Sequence, residues 1–140
     1  MKVFIICSKS FYKEIDRIKQ KLESKGCEVI LPILYNTPNA EREAIERGNI
    51  QLFIQQNLLR SRKAIVSADA VLCLNFEKAG IANYIGIGMY TELHEAFIAS
   101  KKIFMYNYIP EGPMHDAIKA FNPIILKKRV GNIAQGNSGK

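Results

Sequence analysis

Short apolar runs alternate with longer segments of mixed polarity along the chain. Five of these runs have the length of a strand and are rich in Val, Ile, Leu and Phe, as is typical of strands buried on both faces of a parallel sheet. They are KVFII, CEVILPIL, AVLCLNF, KIFMYNY and NPIIL, which begin at residues 2, 27, 70, 102 and 122. Pro32 should end the second strand, because proline cannot donate to a strand ladder.

The segments between these runs carry helical periodicity. In SFYKEIDRIKQKLESKG, Ile15, Ile18 and Leu22 are spaced i, i+3, i+7 and Gly26 follows as a stop, which predicts an amphipathic helix. A long helix is predicted over residues 50–67, with Leu58, Arg62, Ile65 and Val66 at helical spacing. The remaining predicted helices are MYTELHEAFIASK at residues 89–101 and shorter pieces within 36–49 and 110–121.

This alternation of strand and helix predicts right-handed crossovers and a parallel sheet. We therefore predict an α/β three-layer sandwich with a doubly wound, mainly parallel five-stranded sheet, of flavodoxin-like or Rossmann-like type. Residues 1–126 should form the single domain, and residues 127–140 a basic, flexible C-terminal tail, because KKRVGNIAQGNSGK is polar and contains no acidic residue.

The formal net charge of +7 raises the question of nucleic-acid binding. The predicted tail supplies +4 of it, and the first 126 residues carry 16 basic against 13 acidic side chains. Since the excess lies largely in a flexible segment, we do not expect a nucleic-acid site. No apolar run reaches the ~18 residues of a membrane span, and the first run is too short for a secretory signal. We therefore expect a cytoplasmic protein without a membrane partner.

Three cysteines, Cys7, Cys27 and Cys73, lie in or beside apolar runs and show no metal-ligand spacing. We interpret them as free buried thiols and predict no metal. The chain also lacks the GxGxxG and GxxxxGK[ST] motifs of dinucleotide and P-loop sites, and we predict no cofactor.

Ligands of open parallel sheets bind beyond the carboxyl ends of the strands. Polar residues that follow the strands are therefore candidates, whereas Asp69 precedes the third strand and should be a turn or cap residue at the opposite edge. The binding candidates are Ser8, Tyr12, Asn75, Tyr84, Gly86, Gly88 and Asn107. The glycines would let the backbone approach a ligand closely.

Glu92 is the candidate for chemistry. If Leu93 is the centre of the buried stripe of its helix, Glu92 lies about 100° away, at the border with solvent, and Glu95 about 200° away. We expect Glu92 in the first helical turn, where the helix dipole favours an ionised carboxylate. Such a carboxylate could attack an anomeric carbon, although the same preference explains a glutamate without a function.

Residues 67–104 resemble the nucleoside 2-deoxyribosyltransferase-like family. The shared features are the AD-x-V-L-x-x-N strand from Ala68 to Asn75, the Tyr84-Ile85-Gly86 loop, and a helix with Glu92, Ala96 and then Lys101. The resemblance implies a doubly wound fold, a nucleoside or nucleotide substrate, and Glu92 as the nucleophile that takes the deoxyribosyl group from the base. Transferases of the family pass this sugar to another base and hydrolases pass it to water.

The chain departs from the family pattern at His94, Ser100 and Lys102, and, more seriously, at two positions that support the nucleophile. Ser61 stands where characterised members carry an aspartate, and Gly86 where they carry a polar residue. We therefore keep two hypotheses: an enzyme that cleaves or transfers an N-glycosidic bond, which we favour, and a non-catalytic nucleotide-binding module. The resemblance also implies a homo-oligomer, a dimer or larger. The apolar residues of IQLFIQQNLL (50–59) fit either helix pairing or burial against the sheet.

Overall fold

A five-stranded parallel sheet forms the centre of the structure, a computed structural model that describes residues 1–133. The strands are β1 (Lys2–Cys7), β2 (Glu28–Ile30), β3 (Ala70–Leu74), β4 (Lys102–Met105) and β5 (Ile124–Ile125). Their order is β2-β1-β3-β4-β5, and every neighbouring pair is parallel. The doubly wound, flavodoxin-like prediction is confirmed.

Five α-helices connect the strands. They are α1 (Ile15–Ser24), α2 (Ala40–Glu46), α3 (Ile50–Ser67), α4 (Ile87–Ile98) and α5 (His115–Ala120), and a 3-10 segment (Lys9–Glu14) precedes α1. The helix predicted over residues 50–67 has those bounds, whereas α4 begins two residues earlier than predicted. Within residues 1–133, none of the helices has the length and hydrophobicity that crossing a membrane would require.

The strand side chains alternate between two cores, which gives the three layers. Val3 and Ile5 face α1, where they pack with Leu22. Phe4 and Ile6 face the opposite side, in the same cluster as residues from α3, α4 and α5 such as Ile65, Leu93 and Ile118. Each of these side chains is at most 1% exposed, and burying one such residue contributes about 1.5–3 kcal/mol.

Helix α3 does not present the face that its spacing suggested. Its buried residues are Ser61 and Ile65, whereas Leu58 and Val66 are 48% and 57% exposed. The helix packs against α2 and α4. The apolar residues of its first half are therefore not buried against the sheet of this chain, which removes one of the two interpretations of IQLFIQQNLL.

Part of the predicted C-terminal tail is packed on the domain. Val130 is 5% exposed and Ile133 is fully buried, and both belong to the core on the α1 side of the sheet. These two apolar side chains hold residues 127–133 in place, since their burial is favourable. The rest of the predicted tail, residues 134–140, lies outside the described residues.

Asp69 has the position expected of it at the amino edge of the sheet. Its carboxylate accepts from the backbone N–H of Lys2 at 2.7 Å, and its own N–H donates to the Lys2 carbonyl at 2.8 Å. The residue thus joins the starts of β1 and β3, away from the carboxyl edge.

Candidate active site

A pocket of about 410 Å³ lies at the carboxyl edge of the sheet, between the segments that follow β1 and β2, helix α3 and the start of α4. Pockets of roughly 300–1,000 Å³ are typical of small-molecule sites. Six of the eight site residues predicted from the sequence line it: Ser8, Tyr12, Tyr84, Gly86, Gly88 and Glu92.

Glu92 lies at the border of the buried stripe of α4, as its helical angle predicted. Leu93 and Met89 are buried, and Glu92 is half-buried. The expectation of a first-turn position is wrong, because α4 begins at Ile87 with Gly86 as its N-cap and has no acidic residue in its first turn. The helix dipole therefore contributes less to this carboxylate than the sequence suggested, since its effect falls off beyond the first turn.

The carboxylate of Glu92 has one hydrogen-bond donor from a neighbouring helix. Ser61 Oγ donates to Glu92 Oε2 at 2.8 Å. Burial raises the pKa of Glu92 from 4.5 to about 7, and the hydrogen bond from Ser61 opposes this rise. At neutral pH the group is therefore divided between a protonated form and a poorly solvated carboxylate, which is a stronger nucleophile than an exposed one.

Glu95, one turn along α4, has a different environment. Arg62 donates to both of its carboxylate oxygens, at 2.7 and 3.0 Å. This arginine lowers the pKa of Glu95, which stays ionised and bound to α3 outside the pocket lining. The two carboxylates of α4 are thus not equivalent, as their helical angles predicted.

Asn75 and Asn107 do not line the pocket, contrary to the prediction. Asn75 is fully buried; its Nδ2 donates to the carbonyl of Tyr108 at 2.9 Å, and its Oδ1 accepts from the N–H of Asn107 at 2.8 Å. Asn107 Nδ2 in turn donates to the carbonyl of Asn75 at 3.2 Å. Their polar groups join the segment after β3 to the segment after β4, which satisfies backbone groups that the sheet leaves unpaired.

Tyr84 and Ser8 line the pocket, and Lys78 contacts both of them from outside the lining. Lys78 Nζ donates to Ser8 Oγ at 3.1 Å and lies 4.8 Å from the centre of the Tyr84 ring. Gly86 makes room for this ring, because a Cβ at that position would lie 2.8 Å from the Tyr84 hydroxyl. The glycine thus serves the packing of Tyr84, in addition to any approach of a ligand.

Two further polar groups of the pocket are neutral at physiological pH. Burial is the main cause that raises the pKa values of Cys7 and Tyr12 to about 12, and the nearby Glu92 carboxylate adds to both shifts. Cys27 and Cys73 are buried free thiols, as predicted, while Cys7 is half-buried in the pocket wall. Within residues 1–133, no three His, Cys, Asp or Glu side chains are grouped as a metal site would require.

Several lining residues were not among the predicted site residues. Phe53, Asn57 and Ser61 lie four residues apart on one face of α3 and point to the pocket. This i, i+4, i+8 spacing was present in the sequence. It was overlooked because the residues at helical spacing with Leu58 are more apolar and were expected to form the buried face. Lys9 and Glu41 also line the pocket and form an ion pair at 3.1 Å, which joins segments 32 residues apart.

Known structures share this fold. The CMP N-glycosidase BcmB of Clostridium botulinum is similar to this chain with a TM-score of 0.54 and 16% sequence identity, over 96% of both chains. A 2-deoxyribosyltransferase of Bacillus psychrosaccharolyticus gives a TM-score of 0.53 and 18% identity, over 75% of this chain and 71% of that one. No protein-family model and no curated protein sequence matches the chain. The two likenesses confirm the fold that the sequence resemblance implied.

Proposed function

We propose that this chain, whose fold is nucleoside 2-deoxyribosyltransferase-like, cleaves the N-glycosidic bond of a nucleoside or nucleotide with Glu92 as the nucleophile. The main support for the proposal is the position of the Glu92 carboxyl group. It lines a pocket of nucleoside size and accepts a hydrogen bond from Ser61. The names of the two similar structures, an N-glycosidase for CMP and a 2-deoxyribosyltransferase, support the same class of reaction.

In the proposed reaction, a carboxylate oxygen of Glu92 forms a bond to C1′ of the sugar while the N-glycosidic bond breaks. The electron pair of that bond goes to the base nitrogen, which takes up a proton as the base leaves. Water or a second base then attacks C1′ of the glycosyl ester and releases the Glu92 carboxylate. The first outcome is hydrolysis and the second is transfer.

The pocket offers groups for the remaining parts of such a substrate. The rings of Tyr12 and Tyr84 provide aromatic surface for a base, and the Ser8 hydroxyl and the backbone at Gly86 and Gly88 provide polar contacts. The Tyr12 hydroxyl keeps its proton at neutral pH and is available as a donor. Asn75 and Asn107 are not part of the proposed binding set, since their amides already bond to the backbone and to each other.

Lys78 is the reason to include 5′-monophosphates among the substrates. Its ammonium group contacts the pocket residue Ser8 and has no carboxylate partner within residues 1–133. The ammonium of Lys9, by contrast, is neutralised by Glu41. A phosphate near Ser8 would find a charged donor in Lys78, and such charge-assisted bonds are strong.

The test is incubation of the protein with nucleosides, deoxynucleosides and their 5′-monophosphates, followed by chromatography for free base. Addition of a second base separates transfer from hydrolysis, because only transfer forms a new nucleoside. We expect base release from at least one of these substrates. If no free base were released from any of these substrates, with or without an acceptor base, the proposed reaction would be contradicted.

The pH dependence of base release should report the ionisation of Glu92. Since only the carboxylate attacks, kcat/KM should rise with pH and reach half its plateau near pH 7, and at pH 6 about a tenth of the plateau should remain. Ser61→Ala removes the bond that favours the charged form, so the midpoint should move to higher pH and activity at pH 6 should fall several-fold further. Ser67→Ala, which alters another serine of α3, should leave the profile unchanged; an unshifted profile for Ser61→Ala would contradict the assignment.

A nucleotide-binding module without turnover is the second candidate. The raised pKa of Glu92 favours it, because a carboxyl group that is half protonated at pH 7 is also a hydrogen-bond donor to a bound ligand. Stabilisation of the protein by a nucleotide in a thermal-shift assay, without release of base, would support this function over the enzymatic one.

We also propose that the chain forms a homo-oligomer through the outer face of α3. Leu52 and Leu59 are 52% and 65% exposed, and neither lines the pocket. Apolar groups of this kind gain free energy when a partner covers them. Light scattering should show a dimer or larger species, and Leu52→Lys/Leu59→Lys should shift it to monomer, whereas Val66→Lys at the other end of α3 should not. A monomeric wild-type protein at micromolar concentration would contradict this assembly.

A further inference from the structure

A second cavity, of about 680 Å³, lies on the opposite side of the sheet from Glu92, between α1 and residues 128–132. Its lining is strongly basic. Arg17 and Lys21 come from α1, Lys25 directly follows its last residue, and Lys128 and Arg129 come from the segment after β5. Much of the net charge of +7 is therefore placed around one cavity.

Most of these cations have no counter-ion. Arg17 is bound by Glu14 at 3.1 Å, which is the first cause that raises the pKa of its guanidinium. The other four cations form no ion pair within residues 1–133, and no carboxylate side chain lines the cavity in this part of the chain. The sequence of residues 134–140 contains no Asp or Glu. Like charges that line one cavity without counter-ions repel each other, so this arrangement favours a bound anion.

The two walls of the cavity approach each other at Gly131. A Cβ at this position would lie 3.4 Å from Cε of both Lys21 and Lys25. The aliphatic stems of the two lysines therefore lie next to the backbone of the opposite wall, and Ile18 and Val130, at 1% and 5% exposure, are buried at the base. This packing holds the charged ends of both walls around one space.

The backbone of the second wall is strained. Lys127 and Lys128 have φ angles of 50° and 66°, a region that residues with a side chain seldom occupy and that costs on the order of 1–3 kcal/mol each. The turn is held by bonds from the N–H of Lys128 to the carbonyl of Tyr106 at 2.7 Å and from Arg129 to Leu126 at 2.9 Å. Glycine would relieve the strain at both positions, and of the two lysines only Lys128 lines the cavity, where its side chain supplies one of the cations.

We propose that this cavity binds a small ligand that carries two or more linked phosphate groups. A compact polyanion satisfies several of the four unpaired cations at once, which a monovalent anion does not. A single-stranded nucleic acid fits less well, because no aromatic side chain among residues 1–133 lines the cavity and bases would have no ring to stack on. The proposal is independent of any reaction at Glu92.

Calorimetric titration of the full-length protein with tripolyphosphate tests this site. At low ionic strength we expect saturable binding of one ligand per chain, with an affinity that falls as NaCl is added. Lys21→Met/Lys128→Met removes two charges and keeps both stems, and it should weaken binding about tenfold. Lys63→Met/Lys119→Met, which removes two exposed lysines from α3 and α5, should bind as the wild type does.

Four results would overturn the inference. One is the absence of saturable binding at low ionic strength. Another is equal weakening by the two double variants, which would show attraction to net charge only. The third is tighter binding of a single-stranded oligonucleotide than of tripolyphosphate with the same dependence on Lys21 and Lys128, which would assign the cavity to nucleic acid. Lys78→Met should leave tripolyphosphate binding unchanged; weakened binding by that variant would place the ligand in the other pocket, where Lys78 contacts Ser8.

Discussion

Glu92→Gln should lower base release at pH 8 by at least about a thousandfold, because it removes the group that forms the bond to C1′. The change is close to isosteric, and the amide oxygen of glutamine still accepts the hydrogen bond from Ser61, so the pocket should keep its shape. Initial rates of base release on the best substrate, measured by chromatography, give the ratio.

The free energy of unfolding of Glu92→Gln shows whether the variant has lost activity because it is unfolded or because it lacks the nucleophile. The folded pKa of Glu92 is raised to about 7, so ionisation of this group destabilises the fold as pH rises from about 4.5 to about 7. Glutamine does not ionise, and at pH 8 Glu92→Gln should be more stable than the wild type by roughly 1–3 kcal/mol. A variant that is both less active and less stable would not support a role in chemistry.

The matched control is Glu95→Gln on the same helix. It removes a carboxylate that is bound by Arg62 on an exposed surface, and such pairs contribute at most about 1 kcal/mol. Its activity should stay within about twofold of the wild type, since an exposed pair of this strength has little influence on the pocket. If Glu95→Gln and Glu92→Gln lost activity equally, neither could be assigned as the nucleophile.

Asn75→Ala should destabilise the protein by roughly 2–4 kcal/mol and lower its melting temperature by about 10 °C. The substitution leaves the N–H of Asn107 and the carbonyl of Tyr108 without their partner at a position where Asn75 itself is fully buried. Both bonds are part-buried, and unpaired backbone groups are costly where water replaces the lost bonds only in part. Thermal and urea unfolding followed by circular dichroism measure the effect.

Asn107→Ala is the control for this prediction. It removes only the bond from Asn107 Nδ2 to the carbonyl of Asn75, at 3.2 Å, and should cost about 1 kcal/mol. The outcome also decides between two roles for Asn75. If Asn75→Ala had unchanged stability but a raised KM, Asn75 would be a substrate-binding residue, and the structural role would be contradicted.

The strands, and the edge of the sheet at which the site lies, were predicted correctly because both follow from the local pattern of apolar and polar residues. Apolar runs of strand length mark the buried strands, and the residue that follows a parallel strand must lie at the carboxyl edge. Ser8 and Tyr12 could thus be assigned to the pocket from their position alone. The angle of Glu92 relative to Leu93 likewise follows from helical periodicity, which does not depend on the rest of the fold.

The roles of Ser61 and Asn75 could not be predicted in this way. Ser61 lies eight residues before Asp69, and this spacing identified it as a departure from the family pattern. Its hydrogen bond to Glu92, however, depends on how α3 packs against α4. Asn75 follows β3 as a ligand-binding residue would, yet its side chain turns to the segment after β4. A polar residue at the carboxyl edge is equally suited to a ligand and to unpaired backbone, and only the neighbouring segment decides between them.

The order of the elements, the parallel sheet and the helix face of Glu92 were all predictable from the order of residues. Periodicity and burial of apolar side chains are properties of short segments, and they are already present in the order of residues. Three features became visible only in the folded chain: the bond from Ser61 to Glu92, the exposure of the first half of α3, and the five basic residues around a second cavity. These features join residues that are distant in sequence, and their distances are set by the packing of helices on the sheet, which local pattern does not encode.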